Sequence, residues 1–421
     1  MEELSAESSA PVVATHASVV PALGTGRSAE RRQACRLELA RLLDEIRGNP
    51  EDADFLRPPQ PAELRATARQ GPVVLVNVSQ YGSHALLVRP SAVAAVSLPD
   101  LDAFQAEQRT RVFYAALETL RSRPPAERRR EAESAITDVL GWLWTAVAHP
   151  VLSALGLDRP PASDTPPPRL WWSATGALGM LPLHAATRPG PGPRLAVLDL
   201  VTSSYTPTLR ALAHARRRAT GTPGSRVLAV CMIRTPGHRD LPGAADELRV
   251  LGDLFQDSLT ELAGEDALRA DILARLPGHA FAHFACHAVA EPATPSSSHL
   301  LVHDHRQRPL TVADVLALDL PRAELAFLSA CETARTGPAL VDESIHLGSA
   351  FQIAGFRQVV ATLWPVADRR AVHLARTVYE AIARSGTTAV VPTVLGDTVR
   401  RWRDTWPDNP SLWAVHVHAG A

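Results

Sequence analysis

From residue 169 onward, short apolar runs alternate with amphipathic stretches, and this alternation restricts the fold more than any other feature of the chain. The runs are LWWS (170–173), AVLDLV (196–201), RVLAVCMI (226–233), FAHFACH (281–287), AELAFLSA (323–330) and QVVATLW (358–364). Helical spacing of apolar residues lies between them, near 207–218, 243–256, 265–275, 311–317 and 343–354. Near-continuous apolar strands joined by helices suit a mostly parallel sheet covered on both faces, because such strands have no polar face to turn to water. No fixed-period repeat is visible, which argues against a solenoid.

The part before residue 169 reads differently. Residues 1–28 lack helical or strand period and are expected to be a flexible arm. Residues 29–70 carry an amphipathic helix and a linker: Cys35, Leu39, Leu42, Leu43 and Ile46 share one stripe, Gly48, Asn49 and Pro50 end it, and RPPQPAELRATARQGP follows. Residues 71–165 hold two strands, VVLVNVS (73–79) and HALLV (84–88), then two helical stretches at 101–121 and 126–148 parted by Pro124 and Pro125. The proline-rich RPPASDTPPPR (159–169) precedes the main unit, 166–421.

Composition removes several functions. The 43 basic residues balance 44 acidic ones, for a formal charge of -1, so a general nucleic-acid binder is not expected. All 43 are arginine, which excludes catalytic-lysine chemistry. The uncharged stretch 170–187 is broken by Ser173, Thr175, Gly176, Gly179, Pro182 and His184, and reads as two buried pieces joined by a turn, not as a membrane span. Four cysteines without a C-x-x-C pair, and an acidic start (MEELSAESSA) where a secretory signal needs a basic one, lead to the expectation of reduced thiols in the cytoplasm.

In an open α/β sheet, reactive groups gather at the carboxyl ends of strands. Two runs place chemistry there: FAHFACH ends in His287, and AELAFLSA runs into Cys331, 44 positions later, near the roughly 50-residue His-to-Cys spacing of caspases. A thiol of pKa about 8.5 is mostly protonated at neutral pH, so a neighbouring imidazole is needed to take its proton. Once charged, that imidazole can return the proton to a leaving amine. The tetrahedral oxyanion between these steps needs N–H donors, which the turn expected after His287 (the Ala288 amide) and the amide of Cys331 can supply. Together these point to acyl transfer, with peptide hydrolysis its commonest form.

HFACHA (283–288), LTVADVLALDLPRAELAFLSACETA (310–334) and GSAFQIAGFRQVVATLWPVAD (348–368) resemble the CHAT domain, a caspase- and separase-like cysteine peptidase family often attached to TPR repeats. LWWSATGALGMLPLHAA (170–186), VTSSYTPTLRAL (201–212) and LPGAADELRVL (241–251) extend the likeness, and PVVLVNVSQYGSHALLV (72–88) and PSLWAVHVHAG (410–420) fit the edges of longer versions. The resemblance implies a caspase-like three-layer α/β/α fold with a helical N-terminal extension. It implies His287 as general base and Cys331 as nucleophile, a thioester intermediate, no metal or organic cofactor, and a protein substrate. It also suggests a bacterial defence or cell-death role. No TPR repeat is visible, so an activating partner protein or the segment before residue 57 is expected to regulate the site. The family usually has Gly where this chain has Ala288, which cannot adopt a positive φ as cheaply. That departure supports an alternative, a catalytically degenerate scaffold acting as a protein-binding sensor module; His287 and Cys331 argue against it.

Other residues fit less well. Glu332 and Asp368 are candidate pocket walls, and an acidic floor would select a basic residue before the scissile bond. His283 lies inside its strand and is expected to be structural, while Cys286 and Cys231 are expected to be buried and inert. Cys35, in QACR, imitates a caspase nucleophile signature but sits on a helical stripe with no strand before it. Zinc is disfavoured, because among His283, Cys286, His287, His299, His303 and His305 the H-x-x-C-H run puts ligands on opposite strand faces. Gly337, Gly348 and Gly355 form no phosphate-binding loop.

Overall fold

In the computed structural model, residues 25–49, 57, 59–162, 165–191, 194–217, 226–291, 294–329 and 347–421 are described. The chain divides into two units, Met1–Gln60 and Pro61–Ala421. In the first, helix α1 (Thr25–Arg47) ends where the Gly48 amide bonds the Asp44 carbonyl at 3.0 Å. Its stripe of Leu39, Leu42 and Ile46 is exposed, as are Leu37 and Cys35.

The second unit starts with α2 (Pro61–Ala66) and the strands β1 (Val73–Asn77), β2 (His84–Val88) and β3 (Val93–Ser97), an antiparallel meander. Helix α3 (Ala103–Arg121) is capped by Asp102, whose carboxylate accepts the Gln105 amide at 2.7 Å, as expected of an N-cap aspartate. Helix α4 (Ala126–Leu143) runs through one wide turn into α5 (His149–Leu155), which stops at Gly156 in the left-handed region, φ 72°. By length and composition alone this run could cross a membrane. Its apolar side, Ile136, Val139, Leu140, Leu143 and Val151, is part of the buried core.

Strand β4 (Arg169–Ala174) follows, then α6 (Val197–Leu200), β5 (Thr202–Tyr205) and α7 (Leu209–Arg217). The run 196–201, expected as a strand, is mostly the short helix α6. The Asp199 carboxylate accepts the Ala196 amide at 2.8 Å and nucleates the turn. The strand is the polar TSSY after it, whose Ser203 and Ser204 hydroxyls take side-chain donors from Trp172 and Arg169. The chain continues through β6 (Val227–Cys231), α8 (Pro242–Phe255), β7 (Leu259–Ala263), α9 (Arg269–Arg275), β8 (Phe281–Ala285) and β9 (His287–Val289). It ends with β10 (His299–Leu301), β11 (Leu310–Thr311), α10 (Val312–Leu316), β12 (Leu325–Leu328), α11 (Leu347–Ala354), β13 (Gln358–Thr362), α12 (Asp368–Ser385), α13 (Val391–Thr405), α14 (Pro410–Trp413) and β14 (His416–Gly420).

Among the described residues, 11 strands form one sheet in the order β3-β2-β1-β4-β5-β14-β13-β12-β8-β6-β7, and β11-β10-β9 form a small second sheet. The large sheet is mostly parallel and has two halves. Strands β1, β4, β5 and β14 run one way; β13, β12, β8, β6 and β7 run the other, and the antiparallel pair β13–β14 joins them. Gly420 holds that seam, since at φ 107° it lies against the Arg357 carbonyl, where a Cβ would fall 2.1 Å from the oxygen. Contacts link α3, α4, α14, α13, α12 and α8 into one helical layer, and α2, α7, α11 and α10 into another. The sheet is buried between them, a three-layer α/β/α fold.

Candidate active site

Strands β8 and β12 are adjacent and parallel, with Phe284 opposite Leu328. In the sequence, His287 and Cys331 each stand three residues beyond a member of that pair. Cys331 and Glu332 lie outside the described residues; Ser329 is the last position described before them.

The run FAHFACH is not one strand. β8 ends at Ala285, Cys286 is buried, and the chain then leaves the large sheet to begin β9 of the small one with His287. No turn follows His287: the chain extends, with His287 opposite Leu301 and Ala288 opposite Leu300. Ala288 is not among the positive-φ residues, so glycine's conformational freedom is not needed there.

The half-buried His287 is oriented by the loop between β6 and α8. Its Nε2 lies 2.7 Å from the Arg239 carbonyl oxygen. A carbonyl can only accept, so Nε2 donates, and in the neutral ring the lone pair is then on Nδ1, the tautomer a general base requires. The loop is closed by the Leu241 amide bonding the Ile233 carbonyl at 2.8 Å, and turns at Gly237, φ 83°. Arg306 braces it by donating to the Pro236 carbonyl at 3.1 Å.

Beside this loop, a narrow cavity opens among Leu241, Glu247, Cys286, Ser329, Asp368 and Ala371. Asp368, at the start of α12, reaches it because the second residue of α8 is Gly243. A Cβ there would lie 2.8 Å from the Asp368 Cβ. Glu247 is buried on α8, accepts the Ser329 hydroxyl at 2.9 Å and lies 2.9 Å from His283 Nε2. That last approach is close enough for an ion pair but has no hydrogen-bond alignment, and both atoms lack a hydrogen-bond partner. His283 is fully buried, with Nδ1 3.2 Å from the Tyr379 hydroxyl. Burial, then the nearby Glu247, pushes the Cys231 thiol well above its ordinary range, which makes it unreactive. Among the described residues no three His, Cys, Asp or Glu side chains converge as a metal site.

Sequence reading named His287 and Asp368, which the structure places at this loop and cavity, but did not name Glu247, Ser329 or the loop at 233–241. Glu247 had a signal: it occupies the same buried stripe as Ala244, Val250 and Leu251, where an acid needs a partner. The Arg239 contribution had none, because a backbone carbonyl is independent of residue type.

This strand order, with a half-exposed imidazole at the carboxyl end of β8, defines a caspase-like, cysteine-peptidase type of fold. The chain belongs to the CHAT domain family, whose pattern it matches over residues 137–421. It is similar to separase of Saccharomyces cerevisiae in the separase–securin complex at 3.0 Å resolution, with TM-score 0.58, 10% identity, 90% of this chain and 31% of that chain covered. The same complex at 2.6 Å resolution gives TM-score 0.56 and 10% identity, covering 85% of this chain and 31% of the other. The complex of Porphyromonas gingivalis RgpB pro- and mature domains matches with TM-score 0.44 and 10% identity, covering 65% of this chain and 69% of that one. The chain spans about a third of the length of the separase chains. No curated protein matches it.

Proposed function

We propose that this protein is a cysteine endopeptidase that cleaves a partner protein with His287 as general base and Cys331 as nucleophile. His287 Nδ1 takes the thiol proton, and the sulfur attacks the carbonyl carbon of the scissile amide. The amides of Ala288 and Cys331 stabilise the oxyanion. Collapse breaks the C–N bond, the amine leaves with the proton from Nδ1, and the thioester is hydrolysed by a water that His287 deprotonates. This sequence needs no metal or organic cofactor. Glu332 and Asp368 wall the substrate pocket, and Asp368 beside Glu247 favours a basic residue before the cut. A cytoplasmic, partner-activated enzyme of bacterial defence fits the family.

The contact of His287 Nε2 with the Arg239 carbonyl carries this reading, since it turns Nε2 away from the thiol and keeps Nδ1 for the proton. The test is a fluorogenic peptide panel with Arg or Asp before the scissile bond. Wild type is expected to prefer Arg, and Cys331→Ala or His287→Ala to lose about a thousandfold in rate. Preference for Asp would remove the acidic pocket from the proposal. Iodoacetamide near neutral pH separates enzyme from inert scaffold. Cys331 is expected to label first, the exposed Cys35 slowly, and the buried Cys231 and Cys286 last. Equal labelling of Cys331 and Cys35 would favour the scaffold.

A further inference from the structure

The loop that accepts the His287 proton through the Arg239 carbonyl also carries a second imidazole one residue earlier. The His238 ring centroid lies 5.3 Å from that of His287, with the planes 36° apart. His305, from the segment after β10, is the third ring, 6.2 Å from His238 and near perpendicular to it. His238 is held in turn, its amide donating to the Thr235 carbonyl at 3.0 Å, while Arg306 grips the neighbouring Pro236 carbonyl. The charged and titratable groups around His238 are His287 on β9, His305 and Arg306 after β10, and Arg239 and the Arg234–Asp240 pair (3.8 Å) within its own loop. Partial desolvation, then the neighbouring His287, His305 and Arg306, lower the His238 pKa and disfavour charge on its ring.

We propose that His238 is a positioning residue: its ring packs, tilted, against the His287 imidazole while the adjacent Arg239 carbonyl fixes Nε2, so two consecutive residues of one loop set the base's orientation and tautomer. This inference rests on His287 being the base of the proposed peptidase. A hydrogen bond alone fixes one atom of a ring and leaves it free to swing about that contact; a second ring packed beside it restricts the swing. The site itself explains the need. His287 begins a three-residue strand of a small sheet, outside the large one, so the scaffold around it is thinner than around His283.

The test compares wild type, His238→Ala, His238→Phe and His238→Arg on the cleaved peptide, with Cys331→Ala as reference and nitrogen-15 NMR of the His287 ring as a readout independent of turnover. His238 is exposed, so these variants should not disturb the core. Removing the ring in His238→Ala is expected to lower kcat about tenfold with little change in KM, and to populate the second His287 tautomer. Phenylalanine, which keeps the ring face, should restore most of kcat. Arginine, a permanent charge, should move the acid limb of the rate profile down by about half a pH unit, because it opposes protonation of His287. A kcat and His287 tautomer in His238→Ala equal to wild type would overturn the inference. If Cys331→Ala instead cleaves as fast as wild type, the peptidase reading fails and the tautomer alone decides: a mixed tautomer in His238→Ala supports positioning, an unchanged one overturns it.

Discussion

Two groups of histidines occupy this fold, and burial gives them opposite roles. His416 and His418 lie on β14, and His184 packs against Tyr205 of β5, all in the half of the sheet built from β1, β4, β5 and β14. The Tyr205 hydroxyl accepts the His184 amide at 3.0 Å and lies 2.9 Å from its Nδ1. His418 bridges Ser204 at 2.8 Å and Gln358 at 3.2 Å, across the seam between the halves. His416 packs against Trp402 with Nδ1 buried and unpartnered. Desolvation lowers His184 to about 4 and His416 to about 3, and holds His418 well below its ordinary value. These rings stay neutral and serve as spacers and hydrogen-bonding struts. His238 and His287 lie in the other half, where β8 gives way to a loop-braced strand open to solvent. The same side chain is buried and neutral in the first group and reaches solvent in the second, beyond the end of β8.

The comparison breaks most sharply on acidification. A histidine whose folded pKa is depressed contributes stability that is fully present above the unfolded value of 6.5 and is lost as pH falls toward the folded value. Each such group costs about 1.4 kcal/mol per pH unit over that window, so His184 and His416 together should remove about 5 kcal/mol between pH 6.5 and 4.5. Urea unfolding at pH 7.5 and 4.5 measures this. A loss below about 1 kcal/mol would mean that the buried group titrates like the exposed one.

Truncation gives a smaller effect and sharpens the contrast. His418→Ala takes one buried hydrogen bond each from Ser204 and Gln358 and opens a cavity, so a loss of about 2–3 kcal/mol is expected at pH 7.5. His238→Ala, at an exposed position, should stay within about 0.5 kcal/mol of wild type. Similar losses in both would erase the distinction between the two groups.

Much of this arrangement is legible in the chain, and the misses have physical causes. Apolar runs gave β1, β2, β4, β6, β8, β12 and β13, because a strand covered on both faces must be apolar along its length. Strands whose polar groups are satisfied internally are absent from those runs and are covered only by the family likeness. TSSY of β5 uses serine hydroxyls as acceptors, and HVHAG of β14, the seam of the whole sheet, uses a histidine. His287 was visible as a strand-end residue, yet its departure into a second sheet was not, since that depends on β10 lying 10 residues further on to pair with it. The loop that orients His287 was invisible for a similar reason: its chemistry is a backbone carbonyl and a ring face, neither of which imposes a sequence motif.

Gly237 tests that loop with the smallest expected effect. It sits at φ 83°, a region that costs an L-residue about 1 kcal/mol or more, and an added Cβ would lie 3.0 Å from the Arg306 guanidinium. Arg306 is a flexible side chain, so Gly237→Ala should shift the brace and not unfold the loop. The Pro236 carbonyl would then lose its donor, and the segment carrying His238 and Arg239 would drift by a fraction of an ångström. Activity should fall about three- to tenfold through kcat, while urea stability changes by about 1 kcal/mol or less. Equal activity in Gly237→Ala and wild type would show that the exposed group tolerates what the buried one cannot. The orientation of His287 would then depend on the Arg239 carbonyl alone, and the brace from Arg306 would be incidental.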